Sequence, residues 1–264
     1  MQTIDWTAKA SPMRKGIRIN MPSKSALYDA VREKFTTGEG FTIATINLDH
    51  TVKLRRDDLF RTAYAAHSHV VADGNPIVWL SHLARRPVEL APGSELIVPL
   101  CRIAAEMNVP VAFFGSMDKT LDAAAEALRT EIPGLKIVKT LSPPMGFDPE
   151  SDAAIEFIDT IEAAGARLCF LALGAPKQEV FAVRASGRLP KTGFVSIGAG
   201  LDFIAGSQVR APIWVRNLAL EWMWRLAQNP RRMSKRYAEC IMILPALMRE
   251  ALVARSTDAD QIAR

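Results

Sequence analysis

Three cysteines in 264 residues are too few, and too scattered, to build a disulfide framework. Cys101, Cys169 and Cys240 all lie in apolar stretches, which fits reduced thiols filling the core of a cytoplasmic protein. No run approaches the roughly 18 apolar residues that a membrane-spanning helix needs. The opening Met-Gln-Thr-Ile-Asp-Trp has no apolar signal core, so no export signal is expected. A phosphate-binding loop of the lysine-serine type is missing. Gly198-Ala-Gly200 lacks the third glycine of the dinucleotide fingerprint and comes late in the chain, which ranks a nicotinamide enzyme low. His67-Ser-His69 has no nearby cysteine or further carboxylate to complete a metal site and reads as packing or surface. No internal repeat or low-complexity tract is present.

What is there is an ordinary globular composition, 49% hydrophobic and 23% charged, with the length for a sizeable core. The net charge of +5 is unevenly spread. Residues 206–264 hold ten Lys and Arg against five acids, whereas residues 1–205 hold 23 of each. This divides the chain into a neutral body, 1–205, and a basic tail, 206–264, suited to an anionic partner.

Along the body, apolar strand-like runs alternate with helical patterns. Residues 1–22 read as a polar arm over the surface, and Ser23–Lys34 as a helix. Phe41–Asn47 reads as a strand with a polar exit, Asn47-Leu-Asp-His50. A helix is expected over Leu54–His67, a strand over Val70–Ala72, and a helix over Ile77–Leu83. Ser94 is placed to cap a helix running to Met107. Further strands are expected at 111–115, 135–141, 168–174 and 193–198, with helices between them. Several strands are apolar on both faces, which predicts an α/β fold: a mostly parallel, Rossmann-like sheet with helices on both faces. The tail predicts a C-terminal helical appendage: one helix over Ile213–Gln228, a break at Asn229-Pro230, and a second helix over Arg231–Val253. The apolar run Ile241–Met248 is too short to cross a bilayer. It suits either the membrane interface or packing on the protein itself.

Val70-Val-Ala-Asp-Gly-Asn-Pro76 is the stretch around which the rest is arranged. A buried strand ends in Asp73, and Gly74 turns the backbone toward a helix. At the carboxyl end of a parallel strand, Asp73 stands where open α/β sheets hold ligands, although a helix-capping role fits the same residue type. Thr45, Asn47, Asp49, His50, Asn75, Gly115, Gly174, Lys177, Gln178, Glu179, Gly198, Gly200 and Asp202 fall on the same edge, a set suited to a ligand carrying phosphates and hydroxyls. Pro176-Lys-Gln-Glu179 reads either as a capped helix start with a solvated charge cluster or as donors aimed at a ligand.

Taken in order, these motifs resemble the bacterial WecG/TagA/CpsF glycosyltransferases over roughly Phe41–Tyr237. The matching pieces are Thr45-Ile-Asn47-Leu-Asp-His50, Ala72-Asp-Gly74, Gly93-Ser-Glu-Leu96, Leu173-Gly-Ala-Pro-Lys-Gln-Glu179 and Gly198-Ala-Gly-Leu-Asp-Phe-Ile-Ala-Gly206. They continue through Arg210-Ala-Pro-Ile-Trp214, Leu220-Glu-Trp222, Arg225-Leu226 and Pro230-Arg-Arg232.

The resemblance implies an inverting, metal-independent transfer of a sugar in cell-surface polysaccharide synthesis. The sugar moves from a UDP-sugar donor to an undecaprenyl-diphosphate-linked saccharide, with no cofactor, at the inner face of the cell membrane. Carried over, Asp73 is the general base, Thr45 and Asn47 line its pocket, and Gln178 contacts donor or acceptor. Asn75, Lys177, Gly198 and Gly200 complete the substrate-binding set on the sheet edge. Without a metal, Arg225, Arg231, Arg232 and Arg236 are expected to stabilise the departing diphosphate as the tail closes over the site. One departure is plain: Glu89-Leu-Ala-Pro92 lacks the arginine that many members carry there, and Glu95 replaces an aspartate. Arg85 and Arg86 are the nearest substitutes, and the departure points to a UDP-hexose such as glucose as donor. Two further readings accompany this one. A nucleic-acid-binding protein would use the basic tail, but its Trp and aliphatic residues give no polar reading face. A membrane-associated scaffold would carry a degenerate site. Homo-oligomerisation through the Trp-rich tail stays open.

Overall fold

The computed structural model describes residues 2–6, 16–208, 211, 212, 214, 215 and 220–262; the side chains of Arg225, Arg232 and residues 257–262 fall outside that description. Among the described residues, six parallel strands make one sheet in the order β2-β1-β6-β5-β3-β4. They are β1 (Phe41–Ile46), β2 (His69–Ala72), β3 (Val111–Gly115), β4 (Ile137–Leu141), β5 (Leu168–Ala172) and β6 (Gly193–Ser196). Alternation along the strands supplies both faces with apolar side chains. Ile43, Val71, Phe113, Phe170 and Val195 enter one core layer, packed by α1 (Lys24–Thr37), α5 (Gly93–Glu106) and α6 (Asp118–Glu131). Their neighbours Ala44, Ile46, Val70 and Ala72, and Phe114, Cys169, Leu171 and Phe194, enter the layers on the opposite face. This is the α/β architecture that the apolar runs predict, and all three cysteines are buried and unpaired.

Local chemistry moves several boundaries. The expected helix Leu54–His67 forms only as α3 (Asp58–Ala65), and a separate helix, α2 (Leu48–Leu54), precedes it. Asn47 caps α2 by accepting from His50 N–H at 2.9 Å, so the polar strand exit is itself a helix start. Asp57 caps α3 by accepting from Phe60 N–H at 2.9 Å, which forces the break. The cap of α5 falls on Pro92, and Ser94 sits inside the first turn. Likewise α4 (Asn75–Leu83) starts two residues early, with Gly74 at the N-cap and φ of 104°, a conformation open to glycine. The arm over the surface is also corrected: Ile4, Trp6 and Ile17 are apolar enough to be buried in the core beside β1 and β2.

In the tail, Leu220 is not helical and α10 (Glu221–Gln228) begins after it, so a continuous helix from Ile213 is not what forms; Ile213 and residues 216–219 lie outside the described residues. After Asn229, α11 (Pro230–Ile262) runs further than the expected Arg231–Val253. The apolar run Ile241–Met248 splits by helical geometry. Ile243 and Leu247 enter the core with Ile46, Leu54, Phe60 and Tyr64, while Ile241, Met242 and Met248 are exposed.

Candidate active site

The carboxyl ends of β1, β2, β5 and β6 open into a cleft of about 470 Å³, roofed by α10 and α11. Its floor brings together Thr45, Asn47, Asp73, Asn75, Gln178, Gly198 and Gly200, all expected from the sequence. Side-by-side strands explain the meeting: Thr45 pairs with Val71 and Ile46 with Ala72, and Asp73 N–H donates to Ile46 C=O at 2.7 Å. The turn Ile197–Gly200 lies close against the start of α5, where Gly93 and Gly200 carry no side chain. A Cβ on Gly93 would stand 3.0 Å from Ile197 Cα, and one on Gly200 would stand 2.6 Å from Ile97 Cδ1.

Two amides on the floor have their orientation fixed by the partners at their two ends. His50 N–H can only donate, so Asn47 Oδ1 must face it, and Asn47 Nδ2 then points toward Asp73 Oδ2 at 3.4 Å. Gly198 N–H donates to Gln178 Oε1 at 3.0 Å, and Gln178 Nε2 donates to Glu179 Oε1 at 2.8 Å. The Lys177-Gln-Glu179 stretch is therefore not a solvated charge cluster, since Gln178 and Glu179 are buried in the first turn of α8 (Lys177–Arg188). Burial pushes the Glu179 carboxyl up to about 7, against the hydrogen bond from Gln178 and the charge of Lys53. Lys177 does not line the cleft.

A charged rim links the floor to the roof. Asp49 lies between Lys53, at 2.8 Å, and Arg236 of α11, whose Nε stands 3.0 Å away, close enough for an ion pair although its N–H is not aligned on the oxygen. Burial would raise the Asp49 carboxyl, but the Lys53 hydrogen bond and the Arg236 charge outweigh it and hold it below the ordinary range. Lys53 also donates to Ala175 C=O at 3.2 Å, tying α2 to the loop after β5. Two more pairs strap α11 down: Arg55 to Glu250 at 2.8 Å and Arg56 to Glu239 at 3.0 Å. His50 is buried against Phe60 and Tyr64, with Nδ1 3.3 Å from Tyr64 Oη. Burial first, and then the Lys53 charge, lower its pKa to about 3, leaving a neutral ring.

Of the four arginines expected at the site, Arg236 lines the cleft, Arg231 is exposed on α11 away from it, and the side chains of Arg225 and Arg232 lie outside the described residues. Neither Arg85 nor Arg86 lines the cleft as the described residues form it, so they do not replace the missing arginine. Glu89 and Glu95 instead engage Lys24 at the start of α1. His67 and His69 are buried packing residues bonded to Ala63 and Ser68. Among the described residues, no group of three or more His, Cys, Asp or Glu is placed to hold a metal ion.

Sequence reasoning missed the wall. Trp79, Leu90, Phe203, Trp222, Tyr237, Ile241 and Leu244 line the outer cleft, and Trp79 is 60% exposed at its mouth. A signal was available for Trp79, which follows Asp73 by six residues on a short helix. The roof residues come from far along the chain and carry no such local sign. The cleft thus pairs a polar floor around Asp73 with an apolar wall and a charged rim.

A family model described as the glycosyl transferase WecG/TagA/CpsF family matches residues 14–257. The chain is similar to an N-acetylglucosaminyldiphosphoundecaprenol N-acetyl-beta-D-mannosaminyltransferase of Bacillus spizizenii, 27% identical over 199 residues and 74% of each chain. A protein of the same name from Staphylococcus aureus is 27% identical over 170 residues, 64% of each chain.

Proposed function

Because the chain belongs to the WecG/TagA/CpsF family of glycosyl transferases, we propose that it transfers a sugar from a UDP-sugar to a saccharide carried on undecaprenyl diphosphate. The names of the relatives, which specify an N-acetylglucosaminyl-diphosphoundecaprenol acceptor, support the acceptor class. The observation that carries the mechanism is Asp73, set on the cleft floor beside an Asn47 amide whose donor end is already turned toward it.

In this reading Asp73 takes the proton from the acceptor hydroxyl as that oxygen attacks the anomeric carbon of the donor. The bond from that carbon to the diphosphate breaks on the opposite face, its electron pair leaves with UDP, and the configuration inverts. Asn47 and Thr45 hold the hydroxyl. Arg236 stabilises the negative charge that builds on the departing diphosphate. The exposed Trp79, Trp222, Ile241, Met242 and Met248, with Arg231 and Arg249 nearby on α11, suit a surface that rests against the membrane holding the lipid. No helix among the described residues is long and apolar enough to cross a membrane. The unit 206–264 then acts as the site's cover.

The test is acceptor-dependent UDP release by the purified protein, with UDP-glucose and UDP-N-acetylmannosamine in the donor panel, with and without EDTA. Asp73→Asn is expected to lower kcat by about 10²–10⁴-fold without loss of folding. Wild-type release that needs no acceptor, or an Asp73→Asn protein of full activity, defeats this reading.

A further inference from the structure

We infer that Glu179 is a positioning residue: its carboxyl orients the Gln178 amide and thereby holds the Gly198 turn that forms part of the cleft floor. The inference deepens the transfer reading and rests on it for its kinetic arm.

Glu179 has no exposed surface and does not line the cleft, so it acts only through what it touches. One oxygen accepts from Gln178 Nε2, and the other, Oε2, is buried with no hydrogen-bond partner among the described residues. Such a carboxyl is costly to keep, and an apolar side chain of similar size fills the same space more cheaply. What an apolar side chain cannot do is accept a hydrogen bond. An amide has two ends of nearly equal shape, and only the partner at each end decides which way it faces. Glu179 sets the donor end of Gln178, the acceptor end then meets Gly198 N–H, and Gly198 keeps its left-handed turn with φ of 56°. Lys53 of α2 and Tyr64 of α3 are the charged and titratable neighbours that feel this carboxyl. Neither is hydrogen-bonded to it; apart from its own backbone N–H, Gln178 is the group that its carboxyl holds.

The experiment compares wild type, Glu179→Gln and Glu179→Met as full chains. It reads amide exchange in peptides covering 193–204, melting temperature and transfer kinetics. In Glu179→Met, exchange in that segment is expected to quicken about five- to tenfold, the loss of one hydrogen bond. kcat is expected to fall more than KM rises, while the melting temperature holds or increases. Glu179→Gln, which still accepts from Gln178, is expected to restore wild-type exchange and kcat. Gln178→Met, which frees Gly198 N–H directly, is expected to quicken exchange equally, and the double variant to add nothing. Wild-type exchange in Glu179→Met, a Glu179→Gln protein as impaired as Glu179→Met, or exchange raised throughout a less stable chain would each overturn the inference. Wild type without transfer but with this exchange pattern sinks the transfer reading and leaves the positioning role. Transfer with no exchange response does the reverse.

Discussion

Leu247→Ala tests whether α11 is an attachment or part of the body. Leu247 has no exposed surface and packs among Ile46, Leu54, Phe60, Tyr64 and Ile77, side chains supplied by β1, α2, α3 and α4. Truncation removes the transfer free energy of three carbons and leaves a cavity that those four elements cannot readily close, at a cost of about 3 kcal/mol. For a chain of this size that is a fall of about 6–12 °C in melting temperature. Met248, the next residue, is 47% exposed, and Met248→Ala is expected to stay within about 0.5 kcal/mol of wild type. Calorimetry on both variants, with limited proteolysis of the tail, provides the measurement. A Leu247→Ala protein whose main transition stays in place, or which gains a separate early transition, would refute the reasoning. The unit 206–264, marked off by its charge, would then fold and unfold on its own.

Other outcomes follow from buried groups. His50 and His67 have folded pKa values lowered to about 3 and about 4, by burial in both cases. The unfolded chain therefore binds more protons below its ordinary value near 6.5, and stability is expected to fall as pH drops from 7 toward 4 in urea titrations; His67→Leu should flatten that slope. Glu179 has the opposite sign: raised to about 7, it contributes stability that is complete below its unfolded value and lost as pH rises through 7. Glu179→Gln should accordingly gain on wild type between pH 5 and 8 in the same titrations. Gly115→Ala should cost about 3 kcal/mol or more by thermal melts, because φ there is 109° and a Cβ would lie 2.5 Å from the Ala172 backbone of the neighbouring strand.

The sheet was legible because parallel strands covered on both faces leave continuous apolar runs, such as Leu168–Ala172, that little else in a polar chain imitates. The floor of the cleft was legible for a related reason. In a parallel sheet every strand exit lies on one edge, so Thr45, Asp73 and Gly198 converge whatever their distance in sequence. The break between α2 and α3 was missed because Asp57 sits inside a stretch of good helix formers, and its role as a cap depends on one hydrogen bond. The burial of Glu179 was not legible, for a different reason. A Lys-Gln-Glu sequence reads as solvent-facing, and only the packing of α8 against β1, β5 and β6 buries two of the three. Of the roof, the resemblance supplied a closing tail and Arg236, and the remaining residues could not be read. Which face of α11 meets the core and which meets the cleft depends on helical phase over 33 residues.

That helix carries cleft and core on adjoining faces: Arg236, Tyr237, Ile241 and Leu244 look into the cleft, Ile243, Leu247 and Ala251 into the interior. A molecule bound under the roof therefore stabilises the helix and the interior it packs on together. By mass action, a ligand at a hundred times its dissociation constant adds about 2.7 kcal/mol, or about 5–11 °C on melting. Candidate sugar nucleotides can therefore be ranked by heat alone, each without its acceptor and without a single turnover.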